Sequence, residues 1–148
     1  MKNVLFLLSF LTLGTLTAQA QQFKIVTVIE SIVPGGIGRS RIIETKTEVD
    51  AAEFTTERTD GKKSDQGNVR RRDLKVDEFE ETKLLNFYSL TGINFQNIAS
   101  NDALIVSKLA ELSSKGWEVF HVTSGVESDA GETDGNGIFI TRFYFMRK

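Results

Sequence analysis

In Leu109-Ala110-Glu111-Leu112-Ser113-Ser114-Lys115-Gly116-Trp117-Glu118-Val119 a helix ends and a strand begins. Leu104, Ile105, Leu109 and Leu112 recur at helical spacing and form one apolar stripe. Ser100 or Asn101 is placed to cap the N-terminus of that helix, with Asp102 favourable in its first turn. Lys115 falls in the last turn, and Gly116 stands where a left-handed C-terminal cap is wanted. Trp117, directly after the cap, is expected to bury its ring beneath the helix the chain has just left. From Trp117 to Val126 the pattern is that of a strand, with Trp117 and Val119 on one face and Phe120 and Val122 on the other. Apolar residues on both faces predict a central strand covered from two sides.

Working outward, residues 138–146 read as a final strand, with Phe139, Phe143 and Phe145 pointing one way and Ile138, Ile140 and Tyr144 the other. Residues 23–33 are rich in Ile, Val and Thr and form an opening strand. It runs into Pro34-Gly35-Gly36-Ile37-Gly38, a turn by composition, after which Arg41-Ile42-Ile43 predicts a returning strand. Asp77, with Glu80 three residues on, has the form of a capping box, so a helix is expected there with Phe79, Leu84, Leu85 and Tyr88 on its apolar face and Thr91-Gly92 at its end. Residues 94–100 then serve as a connector. Between these elements, 45–76 is a polar insertion, either a solvent-exposed ribbon around the Asp60-Gly61 turn or a mobile loop. Its Arg70-Arg71-Arg72 run, followed by Asp73, reads as a solvated edge rather than a phosphate track. The pattern predicts an α+β fold: an antiparallel sheet with one or two helices packed on one face.

The stretch Leu109–Val119 resembles the core motif of a small bacterial domain family of unknown function, in which a helix ends in Gly, Trp-Glu-hydrophobic opens a strand and a final strand closes the hairpin. The segments 33–41, 123–127 and 137–142 also resemble a set of uncharacterised exported proteins from Gram-negative bacteria. The resemblance implies the fold and carries no activity with it.

Lys2 followed by the apolar run 4–16 and then Ala18-Gln19-Ala20 has the three parts of a secretory signal peptide, so cleavage after Ala20 and a periplasmic or secreted location are expected. The apolar run is shorter than the ~20 residues that span a bilayer. Removal of residues 1–20 from the 148 leaves a single α+β domain at 21–148, with no membrane span. The whole chain has 18 basic and 20 acidic residues, and loses only Lys2 with the leader. That balance argues against nucleic acid as a partner, because affinity for nucleic acid comes from neutralising phosphates. With no cysteine in the chain, thiol chemistry, disulfides and cysteine zinc sites are excluded.

No catalytic signature and no cofactor motif stands out. Arg39, Ser40 and Arg41, just past the glycine turn, are the leading candidates for a binding site: the two arginines leave one face of an extended chain, where they would hold an anionic group. Asp129, Glu132, Asp134 and Asn136 supply oxygens in one acidic loop, as calcium requires, but lack the alternation and closing Glu of a helix-loop-helix calcium site. His121, the one histidine, shares a face with Trp117 and Val119 by simple alternation and reads as structural. The leading expectation is therefore a non-enzymatic domain that binds an envelope protein or an anionic ligand. The rivals are an envelope-polymer hydrolase with paired carboxylates and a self-associating structural protein using the Phe139, Phe143, Phe145 face. Homo-oligomerisation stays open on the sequence.

Overall fold

A computed structural model describes residues 20–33, 39–127 and 137–148. In chain order the strands are β1 (Gln22–Ser31), β2 (Arg41–Thr45), β3 (Phe79–Lys83), β4 (Tyr88–Ser89), β5 (Gly92–Ile93), β6 (Glu118–Glu127) and β7 (Ile138–Arg147), with helix α1 (Phe95–Ser114) between β5 and β6. Five of them form one antiparallel sheet in the order β3-β2-β1-β7-β6, and β4 and β5 form a small separate hairpin. This is the expected α+β class, with one α-helix among the described residues. Leader residues 1–19 and the 34–38 turn lie outside them. No helix among them is long and apolar enough to cross a membrane.

The core lies between α1 and one face of the sheet. Val26 and Val28 of β1, Ile42 of β2 and Phe145 of β7 meet Leu112, Leu84 and Trp117 there, with Ile105, Leu109 and Phe143 packed against them. The expected stripe is thus the buried one, except that Leu104 sits at its margin, 39% exposed. Alternation along β7 also holds. Its Phe143 and Phe145 face the helix, however, so the face offered above for self-association is part of the core.

The helix ends as its sequence indicates. Gly116 adopts φ 82°. Its N–H donates to the Ser113 carbonyl (2.9 Å) and the Trp117 N–H donates to the Leu112 carbonyl (3.1 Å), the paired bonds of a glycine-terminated helix. The indole then packs on Leu112 in the core. Lys24 and Arg147 flank the ring, 5.2 and 4.5 Å from its centroid.

Four expectations need correction. Residues 79–83 form an edge strand, not a helix. They pair with the outer edge of β2, Thr45 opposite Phe79 and Arg41 opposite Lys83. Leu84 continues the line by donating to the Ser40 carbonyl at 3.0 Å. The helix-forming character of Glu80, Glu81 and Lys83 is local; a strand partner some 40 residues upstream outweighs it. Second, α1 begins at Phe95, six residues before the start implied by a Ser100 cap. Asn94 is its cap, its side-chain oxygen accepting from the N–H groups of Gln96 and Asn97 at 3.0 and 3.2 Å. Asn101 is a fully buried residue inside the helix. Third, β6 is the outermost strand and every one of its residues is exposed. The central position belongs to β1, with β2 and β7 on either side of it. Fourth, the 45–76 insertion makes no ribbon. It contains two short 3-10 turns, Ala51–Phe54 and Asp65–Asn68. Asp60 and Gly61 do make a turn, with the Asp60 carboxylate accepting from the N–H groups of Lys62 and Lys63.

Candidate functional site

Alternation across the start of β2 separates the three residues past the glycine turn. Ser40 is buried to 1% exposure. Its oxygen accepts from the Ser31 N–H at 2.8 Å, and its hydroxyl donates to the Asn86 side-chain carbonyl at 3.1 Å. Ser40 therefore ties β1, β2 and the loop after β3 together, and faces inward. Arg41 faces outward and pairs with Glu81 of β3 at 2.5 Å. Arg39 is exposed. The anion site proposed from sequence is thus divided: its serine belongs to the interior, and one of its arginines sits in a cross-strand ion pair. The four loop oxygens at Asp129, Glu132, Asp134 and Asn136 lie outside the described residues. Among the described residues no three His, Asp or Glu side chains converge as a metal would need.

His121 is moved by a bulge. Register slips between Val119 and His121, with Phe120 the extra residue. Val119 stays opposite Phe145 on the helix side, whereas His121 comes opposite Tyr144 on the other face, its ring 5.5 Å from the tyrosine ring. The extra residue breaks the period-2 pattern on which the sequence reading of this histidine rested.

Two carboxylates are buried on the helix side, and both are bound into the structure. Glu30 accepts from the Asn101 side-chain amide at 2.8 Å. Burial pushes its carboxyl above the usual range; the Asn101 bond works the other way, and the charge of Asp102 adds to the rise. Glu44 is 2.6 Å from Lys24 and 2.6 Å from Lys108. Burial alone would raise its carboxyl, but the bonds from Lys108 and Lys24 and their charges hold it below the usual range. A carboxylate with a depressed folded-state pKa adds stability above its unfolded pKa and loses that contribution as pH falls through the folded one. Glu44→Gln is therefore expected to cost about 2 kcal/mol at pH 7, as for a lost hydrogen-bonded charge. The difference from wild type should shrink when urea unfolding is repeated near pH 3. A deficit independent of pH would show that packing, not charge, is what Glu44 supplies.

The surface that sequence reading overlooked is the sheet face turned away from α1. Phe23 and Ile25 of β1 and Phe120 of β6 are 65, 42 and 48% exposed. Phe23, Phe120 and Tyr144 form an edge-to-face chain, with centroids 6.0 and 6.3 Å apart. The signal was legible in β1, where Phe23 and Ile25 alternate with the buried Val26 and Val28 on the opposite parity: apolar residues fill both faces, and among the described residues only one has a helix to cover it. Beside this cluster Gly125 leaves a notch of about 290 Å³ bordered by Thr123, Glu127, Ile140 and Arg142. On the helix side, an open groove of about 600 Å³ runs between α1 and the start of β6, lined by Val106, Leu109, Ala110, Trp117 and Val119.

Among the described residues, fold and surface together define a two-layer α+β arrangement with one helix-covered and one open sheet face. No family model, curated protein or solved structure matches this chain.

Proposed function

We propose that this is an exported, non-enzymatic binding domain that docks a protein partner of the cell envelope on its open sheet face. The observation that carries the reading is the exposed cluster of Phe23, Ile25 and Phe120 with Tyr144. Contiguous exposed apolar surface of this kind marks an interaction site, since water contact with it is unfavourable and nothing in the core requires it. The side-chain arrangement supports binding over acid–base chemistry: each buried carboxylate is held by an amide or by two ammonium groups, and neither borders the open cluster.

The test uses the chain from Gln21 onward as bait against native envelope extract. Phe23→Ser with Ile25→Ser is expected to change stability by no more than about 1 kcal/mol, as for exposed positions, and to abolish capture of the partner. Arg39→Ala with Arg41→Ala should leave capture intact. Capture that survives the first pair and is lost with the second overturns the reading and moves the site to the arginines.

A further inference from the structure

The two edges of the sheet are built in opposite ways. β3 is five residues long and reads Phe-Glu-Glu-Thr-Lys. Its Glu80 and Glu81 are engaged by Lys46 and Arg41. Short length and charge are the features that keep an edge from pairing with another chain. β6 is ten residues long, contains no proline, and carries its carboxylates only at its two ends, Glu118 and Glu127. Val119, Phe120, Val122 and Val126 along it are 43, 48, 45 and 60% exposed. Its single irregularity is the bulge at Phe120. Beyond the bulge, His121 to Glu127 form seven consecutive regular positions against β7.

We propose that β6 is a homotypic interface, in which two copies of this chain pair antiparallel along His121–Glu127 and join their sheets into one of ten strands. A closed dimer needs a two-fold axis, and for antiparallel edge pairing that axis stands normal to the sheet. Such an axis preserves the faces, so each residue must meet one of its own parity. Centring it on Ser124 sets Val122 opposite Val126 of the second copy, Thr123 opposite Gly125 and His121 opposite Glu127. This register uses all seven regular positions and leaves the bulge outside. It satisfies two carboxylates with two imidazole N–H donors, and it lays Thr123 beside the notch that Gly125 opens next to Ile140 and Arg142. Nothing within 4 Å would obstruct a side chain at Gly125, so the notch has room for a neighbour. Sliding the pairing two residues toward the start of β6 draws the bulge into the ladder and sets Glu127 against Val119. The donor–acceptor match of His121 with Glu127 therefore selects one register and one occupant. Seven opposed residues make a contact about 24 Å long. That is small beside the roughly 800 Å² per subunit of a standard interface, so the dimer is a reversible one held largely by main-chain hydrogen bonds.

The inference does not rest on the open-face reading, and its test is separate. Ser124→Cys introduces the only thiol into a chain without cysteine. Opposed residues in antiparallel strands have Cα atoms about 4.5–5.5 Å apart, within the range a disulfide spans. Under mild oxidation Ser124→Cys should form covalent dimer at least tenfold faster than Val106→Cys, whose thiol is as accessible but far from the axis. Sedimentation of the unmodified chain should show a concentration-dependent rise from monomer to twice the monomer mass. Glu127→Lys should raise the dimer Kd at least tenfold, and His121→Glu with Glu127→Lys should restore it, with circular dichroism confirming that each variant is folded. If Ser124→Cys does not fold, the charge exchange decides alone. A monomer at all concentrations, equal cross-linking rates, or a dimer indifferent to the charge exchange overturns the proposal. So does a dimer abolished by Phe23→Ser with Ile25→Ser, because that places the contact on the open face.

Discussion

Trp117→Ala is expected to destabilise the protein by about 3–5 kcal/mol, a large share of the stability of a domain of this size. The ring is 8% exposed and belongs to the same cluster as Leu112, Val26 and Phe145. Removing it leaves a cavity that its neighbours cannot readily fill, because Gly116 and the two capping hydrogen bonds hold the backbone there in place. The stems of Lys24 and Arg147 also lose the surface on which they lie. Since Trp117 is the only tryptophan, unfolding should be followed by circular dichroism rather than by indole fluorescence. A loss below 1 kcal/mol would show that the core does not depend on the ring.

Asn101→Ala is expected to cost about 3 kcal/mol or more, because three polar groups lose their partner together. The Asn101 side chain accepts from the Leu85 N–H at 2.8 Å and donates to the Leu85 carbonyl at 2.7 Å and to Glu30 at 2.8 Å. These bonds fasten the segment after β3 to the interior of α1 and neutralise part of the cost of burying Glu30. With Asn101 gone, the Glu30 carboxyl loses the bond that opposed its upward shift. A raised folded-state pKa means stability present at acidic pH and lost as pH rises through it. The deficit of Asn101→Ala should therefore be smaller near pH 4 than at pH 7, the same direction as for Glu44→Gln but from the opposite cause, and Glu30→Gln in the same chain should relieve part of it. Urea unfolding at the two pH values measures both. A deficit below 1 kcal/mol, or one that grows on acidification, would mean that water or a neighbouring group replaces the amide.

Much of the architecture is written locally. The turn from α1 into β6 depends on a glycine at positive φ followed by a large apolar ring, and both are plain in Lys115-Gly116-Trp117. Period-2 alternation assigns Phe143 and Phe145 to one face of β7 and Tyr144 to the other without reference to anything else in the chain. The same alternation puts Ser40 and Arg41 on opposite sides, although it does not say which side is the interior.

What the sequence by itself determined, then, are the properties that depend on neighbours within a few residues: the helix end, the hairpin of β1 and β2, the α+β class, and the absence of thiol chemistry. The tertiary structure decided everything that depends on order across the sheet. Whether residues 79–83 become helix or strand turns on the free outer edge of β2, far away in the chain. Whether an apolar strand such as β6 is central or outermost turns on which strands lie beside it, and side-chain periodicity is identical in the two cases. The one-residue bulge at Phe120 reverses the facing of His121 without leaving a mark in the composition. For that reason the surfaces that carry the functional proposals, the open face around Phe23 and the bare edge of β6, were visible in the sequence as apolar residues but not as surface: exposure is a property of what the rest of the chain fails to cover.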